Sequence, residues 1–145
     1  MFTSILCPVD FSEHSERALG VALELAALTD AHLTIVHVVD AFLDAAAGAS
    51  GNRETLEAQT QQELQDLLGR IAGASGKEPR AIAIAVAVGD PADQVLKQAA
   101  ECESDLIVIG TQGLEGAERF VFGSTTDGVL RASRVPVLAV PLPRA

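Results

Sequence analysis

The chain has no tryptophan, no tyrosine and only five phenylalanines in 145 residues. Modules that hold RNA or single-stranded DNA stack bases on exposed aromatic rings, so that class of function is disfavoured. Cations are scarce as well: ten Lys and Arg stand against twenty Asp and Glu, a formal net charge of −10. Nucleic-acid backbones and anionic membranes are gripped through clustered cations, and this surface repels both. Neither partner is expected. A small anionic ligand is still compatible, because local backbone amides hold an anion even in an adverse overall field.

Only two cysteines occur, Cys7 and Cys102, without a CxxC or a metal-ligand spacing. Cys7 falls in an apolar strand pattern and Cys102 near the end of a helical one, so both read as buried free thiols in a reducing cytoplasm. No apolar run approaches the roughly 18 residues that span a membrane. The opening MFTSILCPVD lacks the basic region of a signal peptide. A soluble, cytoplasmic protein is the expectation. Lysine is limited to Lys77 and Lys97. Neither a GxxxxGK[ST] P-loop nor a GxGxxG after the first apolar run exists, which excludes the two commonest nucleotide fingerprints.

What is present is aliphatic. Hydrophobic residues make up 48% of the chain, mostly Ala, Val, Leu and Ile, and the length suits one domain spanning residues 1–145. Five apolar runs of strand length appear: Ser4 to Val9, His32 to Val39, Ala81 to Val88, Asp105 to Gly110 and Val135 to Pro141. Their near-continuous apolar character is that of strands buried on both faces. Between them lie helical patterns. Ser12 is expected to cap a helix running to about Thr29, with Ala18, Ala22, Leu25 and Ala26 on one stripe. Leu64, Leu67, Leu68 and Ile71 mark a second helix from about Arg53 to Ala72. Asp90 and Pro91 open a third in the N-cap and N1 positions, and Ser124 is expected to cap a short fourth. The stretch from Ala41 to Asn52 is weakly patterned and reads as a mobile loop or a lid. The order β-α-β-α-β-α-β-α-β implies a parallel sheet with helices on both faces.

In such sheets ligands sit beyond the carboxyl ends of the strands, where the strand order reverses. There the sequence places Asp10-Phe11-Ser12, Asp40, Gly89-Asp90 and the run GTQGLEGAERFVFGSTTDG, from Gly110 to Gly128. Glycines at 110, 113, 116 and 123 let backbone approach a phosphate closely, and Ser124, Thr125 and Thr126 bring hydroxyls to a helix start. An anion cradle and a plain glycine-rich connection with a Ser cap are equally compatible with this spacing. Arg119 lies inside the run as a phosphate contact or a solvated loop charge.

The pieces ILCPVDFS, VHVV, GTQG, FGSTTDGVL and VPVLAVP together resemble the universal stress protein family, and the likeness spans essentially the whole chain. The spacing G-x2-G-x9-G-[S/T] matches the family's ATP-binding branch. The resemblance implies a single open, doubly wound five-stranded parallel sheet of Rossmann-like form, in the order 3-2-1-4-5. It implies ATP or a related adenine nucleotide as a regulatory ligand. Asp10 resembles the acidic residue near the nucleoside and metal, and Val38 the position whose backbone reads adenine. Gly110, Gly113, Gly123, Ser124 and Thr125 match the phosphate and ribose segment. The candidate site therefore comprises Pro8, Val9, Asp10, Ser12, Val38, Val39, Gly110, Thr111, Gly113, Gly116, Arg119, Gly123, Ser124, Thr125 and Thr126. Asp10 doubles as a weak Mg²⁺ ligand alongside phosphate, and as a rival reading it is a loop-capping carboxylate. Thr111-Gln112 departs from the small-polar and basic pair frequent in the family, which weakens charge neutralisation there.

No catalytic constellation is legible. His14 falls in the first turn of a helix, while His32 and His37 lie on opposite strand faces by parity. Binding, with slow ATP hydrolysis or none, is the expectation; a nucleotide-independent stress-protection or protein-interaction module and a slow Mg-dependent ATPase are the alternatives. Pro136 and Pro141 suit Val135–Pro141 to a sheet edge. In the resembled family this segment pairs with its twin to form a homodimer.

Overall fold

A computed structural model describes residues 1–75, 81–112 and 122–143. In chain order the elements are β1 (Ser4–Pro8), α1 (Glu13–Thr29), β2 (His32–Val39), α2 (Ala41–Ala49), α3 (Arg53–Ser75), β3 (Ala81–Val88), α4 (Pro91–Glu101), β4 (Leu106–Gly110), α5 (Ser124–Ala132) and β5 (Val137–Val140). The strands form one sheet in the order β3-β2-β1-β4-β5, and every neighbouring pair is parallel. This is the parallel α/β sheet expected from the alternation of elements, in the Rossmann-like strand order that the family resemblance implies.

Strand parity sorts the core into two layers. Ile5, Cys7, Leu33, Ile35, Leu106 and Val108 face one side, where α1 and α3 cover them with Leu19, Leu23, Leu64 and Leu67. Leu6, Val36, Ile107 and Ile109 face the other, under Val95 and Ala99 of α4 and Val129 of α5. Side chains such as Leu19, Leu23 and Ile107 have no exposed surface. Each one contributes about 1.5–3 kcal/mol of hydrophobic burial. The buried stripe of α1 runs through Ala18, Leu19, Ala22, Leu23 and Ala26, whereas Leu25 is only partly buried.

Two local expectations are corrected. The segment from Ala41 to Asn52 is not a loop: most of it is α2. Asp40 caps it by accepting the Phe42 and Leu43 amides at 2.8 and 3.3 Å. Five of its nine residues are alanine, the strongest helix former. No residue of α2 is buried and Phe42 is 85% exposed, so the helix has no apolar stripe that would betray it. The N-cap of α5 is Gly123, and Ser124 is its first helical residue.

At the carboxyl end of β4, α1 crosses so closely that a Cβ on Gly110 would lie 2.8 Å from the carbonyl carbon and oxygen of His14. Gly128 similarly meets Ala92, whose Cβ would be 2.8 Å from an added one, where α5 packs on α4. At the amino end of the sheet, Asp105 accepts the Thr3 and Ser4 amides at 2.8 and 3.1 Å and the Thr3 hydroxyl at 3.1 Å. Partial burial raises the pKa of this carboxyl, but the hydrogen bonds outweigh burial and hold it below the ordinary value.

Candidate functional site

The carboxyl ends of β1, β2 and β4 open into a cavity of about 530 Å³, closed on its far side by the starts of α4 and α5. Its size falls within the range of small-ligand sites. Val36, Val38, Val95, Ile109 and Pro91 give it an apolar base, while Asp10, Ser15, Gln112, Ser124, Thr125 and Thr126 add polar groups. The site is thus an apolar slot with a hydroxyl-rich end.

The turn after β1 is shaped by its own side chains. Phe11 sits at φ 65°, a left-handed conformation that is strained for a bulky residue. The carboxylate of Asp10 accepts the Ser12 amide at 3.0 Å and also the Ser12 hydroxyl. The Ser12 hydroxyl oxygen accepts the Ser15 amide at 3.2 Å as the N-cap of α1. In return the Asp10 amide donates to the Ser15 hydroxyl at 3.2 Å. Asp10 therefore does cap the loop, as the rival reading held, and it also lines the cavity.

The edge of β2 carries the most specific feature. The Val9 amide donates to the Val36 carbonyl at 2.8 Å, and the Gly89 amide to the Val39 carbonyl at 3.1 Å. Bonding direction alternates residue by residue along a parallel strand, so even-numbered residues of β2 face β1 and odd-numbered ones face β3. Val38 consequently turns its N–H and C=O toward β1. But β1 has already left: its register with β2 ends at Pro8 opposite Val36. Among the described residues neither polar group of Val38 meets β1 or the turn that follows it. An adjacent donor and acceptor therefore border the apolar slot.

The start of α5 is the second feature. α1, α2 and α4 each close their first turn with a cap side chain, from Ser12, Asp40 and Asp90. α5 has Gly123 at that position and no side-chain cap. Its first amides and the Ser124 and Thr125 hydroxyls lie where the cavity is lined by Gly123, Ser124 and Thr125. Thr126 plays another part. Its buried hydroxyl donates to the Gly110 carbonyl at 2.6 Å, fastening α5 to the end of β4.

Of the residues proposed from sequence, Pro8, Val9, Asp10, Val38, Gly110, Gly123, Ser124, Thr125 and Thr126 come together around this cavity. Ser12, Val39 and Thr111 do not line it. Ser12 shapes the turn, Val39 is buried, and Thr111 bridges to the Val140 carbonyl at 3.2 Å and to His14 Nδ1 at 3.3 Å. Gly113, Gly116 and Arg119 lie outside the described residues. Sequence reasoning missed Val36, Val95, Ile109, Pro91, Ser15, Gln112 and Phe122. The parity of Val38 would have yielded Val36, two residues earlier on the same face of β2. Phe122 is half exposed at the cavity rim and follows no pattern that marks it.

The cavity offers apolar surface, hydroxyl groups and the carboxylate of Asp10. Among the described residues no group of three or more His, Cys, Asp or Glu could hold a metal ion, and no helix is long and apolar enough to cross a membrane. Burial drives the Cys7 thiol far above its ordinary pKa, so it is no nucleophile. Cys102 is a free thiol too but only partly buried, at the end of α4, where it accepts from Gln98 Nε2 at 3.3 Å.

Comparison with known proteins agrees with this architecture. The model of the universal stress protein family matches residues 1–141. A universal stress protein of Methanocaldococcus jannaschii is 29% identical over 99% of this chain and 85% of its own length. Universal stress protein UspA from Lactobacillus plantarum superposes with a TM-score of 0.73 at 25% identity, over 95% of this chain and 97% of that one. A universal stress protein crystallised in complex with cAMP gives a TM-score of 0.73 at 26% identity, covering 97% of both chains. The chain belongs to the universal stress protein family.

Proposed function

We propose that the cavity binds an adenine nucleotide, ATP in the first instance, and that the bound nucleotide acts as a regulatory ligand of a stress-response protein. The observation that carries this reading is the pairing of two complementary features in one cavity. The donor–acceptor edge of Val38 borders an apolar slot, and a helix start without a side-chain cap lies at its polar end. Adenine presents an acceptor and a donor side by side at N1 and N6, which suits the backbone edge of Val38, and its flat ring suits the valine and isoleucine walls. Phosphate suits the α5 amides and the Ser124 and Thr125 hydroxyls, since aligned helix dipoles favour negative charge there. A relative of comparable fold carries cAMP, which supports the purine part of the reading.

Mg²⁺ would enter with the nucleotide, held by phosphate oxygens and the Asp10 carboxylate. Magnesium is commonly bound in this way, through one or two carboxylates plus substrate phosphates. When bound it would neutralise phosphate charge that no lysine offsets among the described residues lining the cavity. Among the described residues Asp10 is the one ionisable side chain that lines the cavity, and turnover is expected to be slow or absent. The protein is further proposed to pair with a second copy through β5.

Isothermal titration with ATP, with and without Mg²⁺, tests the reading. Saturable binding at micromolar concentrations is the expected result. Failure of the wild type to bind at high micromolar ATP would leave the nucleotide-independent interaction module as the better description. A Ser124→Ala/Thr125→Val double variant should weaken binding roughly 10- to 100-fold through two lost hydroxyl contacts, with little change in melting temperature.

A further inference from the structure

We infer that His37 is a positioning residue that stops the β1–β2 ladder one residue early and so keeps the recognition edge of Val38 open. This rests on the reading of that edge as the base-recognising part of the site. In a continued parallel ladder the Val9 carbonyl would accept the Val38 amide. Here it accepts His37 Nδ1 at 2.7 Å instead. A carbonyl only accepts, so Nδ1 carries a proton and is the donor of this contact.

The imidazole reaches this carbonyl from the opposite face of β2, the face covered by α1. Its ring is stacked obliquely on Phe11, with centroids 4.9 Å apart and planes at 55°. Phe11 is the residue at φ 65°, so the same ring that removes the Val9 carbonyl from the ladder also supports the kink that turns the chain away. A turn strained in this way persists only where its surroundings over-determine it. Two contacts to one histidine do so here. Without the imidazole donor, the Val9 carbonyl is left beside the Val38 amide, and pairing the two satisfies both at the expense of the ligand edge.

The inference distinguishes His37 from a residue that merely fills space. His37→Phe retains an aromatic ring against Phe11 and removes the donor. His37→Asn restores a donor, because its Nδ2 occupies nearly the place of imidazole Nδ1. The first readout is exchange of the Val38 amide hydrogen, followed by NMR in the protein without nucleotide. Rapid exchange is expected in the wild type and in His37→Asn, and marked protection in His37→Phe. The second is ATP affinity by calorimetry, expected to fall roughly 10-fold in His37→Phe and to recover in His37→Asn. Inorganic tripolyphosphate, which has no base, should bind the wild type and His37→Phe alike.

A Val38 amide already protected in the wild type would overturn the inference, whatever the nucleotide does. So would unchanged Val38 exchange and unchanged ATP affinity in a folded His37→Phe. If the wild type binds no ATP while Val38 exchanges as stated in all three proteins, the nucleotide reading falls and the ladder-stopping role of His37 stands.

Discussion

At the scale of single residues, the structure separates glycines and carboxylates that maintain the fold from those that line the cavity. Gly110 opens the glycine-rich run and is the natural target for testing a phosphate cradle, yet its missing Cβ makes room for the α1 backbone. Gly110→Ala should therefore destabilise the protein by about 1–3 kcal/mol in chemical denaturation, as overpacking does. Any accompanying loss of nucleotide binding would report misfolding and not the cradle. Asp105, remote from the cavity, is a fold residue of another kind. Its folded pKa lies below the ordinary carboxyl value, so its stabilisation is present above that value and is lost as pH falls through the folded one. Asp105→Asn should cost about 1–2 kcal/mol at pH 7, from charge-assisted bonds to Thr3 and Ser4. The gap to wild type should close in melts taken progressively below pH 4. A gap that stays constant into that acid range would remove the electrostatic account. Sequence gave the positions of both residues but neither role, because close helix approach and a clasp between residues 3 and 105 are products of tertiary packing.

At the scale of elements, the strands were readable from their aliphatic composition, and four of the five helices from their caps or stripes. What escaped was α2, whose exposed Phe42 and Leu43 leave no stripe, and the phase of β2, which decides where each backbone group points. A run such as HLTIVHVV identifies a strand but is silent on which neighbour each amide meets. The orientation of Val38 became definable only once Val9 and Gly89 were seen bonded to Val36 and Val39. The N-terminus of α5 was nearly legible, with its cap misplaced by one residue. That residue matters, because glycine at the N-cap leaves the first amides of α5 without a side-chain acceptor. Gly123 has φ −60° and ψ 160°, a conformation open to any residue. Gly123→Asp should thus fold normally and gain a few tenths of a kcal/mol from capping. If α5 holds phosphate, the same carboxylate competes for the amides and repels the ligand, and ATP affinity should fall at least ~10-fold. Stability and affinity would move in opposite directions. Unchanged ATP affinity in a folded, slightly stabilised Gly123→Asp would locate the phosphates elsewhere.

At the scale of the whole molecule, the open sheet has two edges, and backbone phase shows what each one offers. Along β5 the Ile107 and Thr111 amides bond to the carbonyls of Pro136 and Val140, so even-numbered residues face β4. Val137 and Ala139 then turn their amides and carbonyls outward, and Pro141, next in that outward series, has no amide to give. The outer edge of β5 is short and ends at proline. Along β3 the bond from Gly89 to Val39 sends odd-numbered residues toward β2, leaving the groups of Ile82, Ile84, Val86 and Val88 outward with no proline among them. On edge chemistry alone β3 offers the longer pairing surface. β5 offers a register confined to two residues, which suits one defined twofold pairing over open-ended growth. A dimer through β5 requires the outward amide of Ala139 and none from β3. Ala139→Pro should therefore shift the protein from dimer to monomer in analytical ultracentrifugation, since it removes an outward donor and leaves the inward ladder to β4 intact. Ile84→Pro removes an outward donor of β3 in the same way and should leave the dimer unchanged. The reverse pattern would assign self-association to β3, and a wild type that sediments as a monomer would remove the dimer altogether.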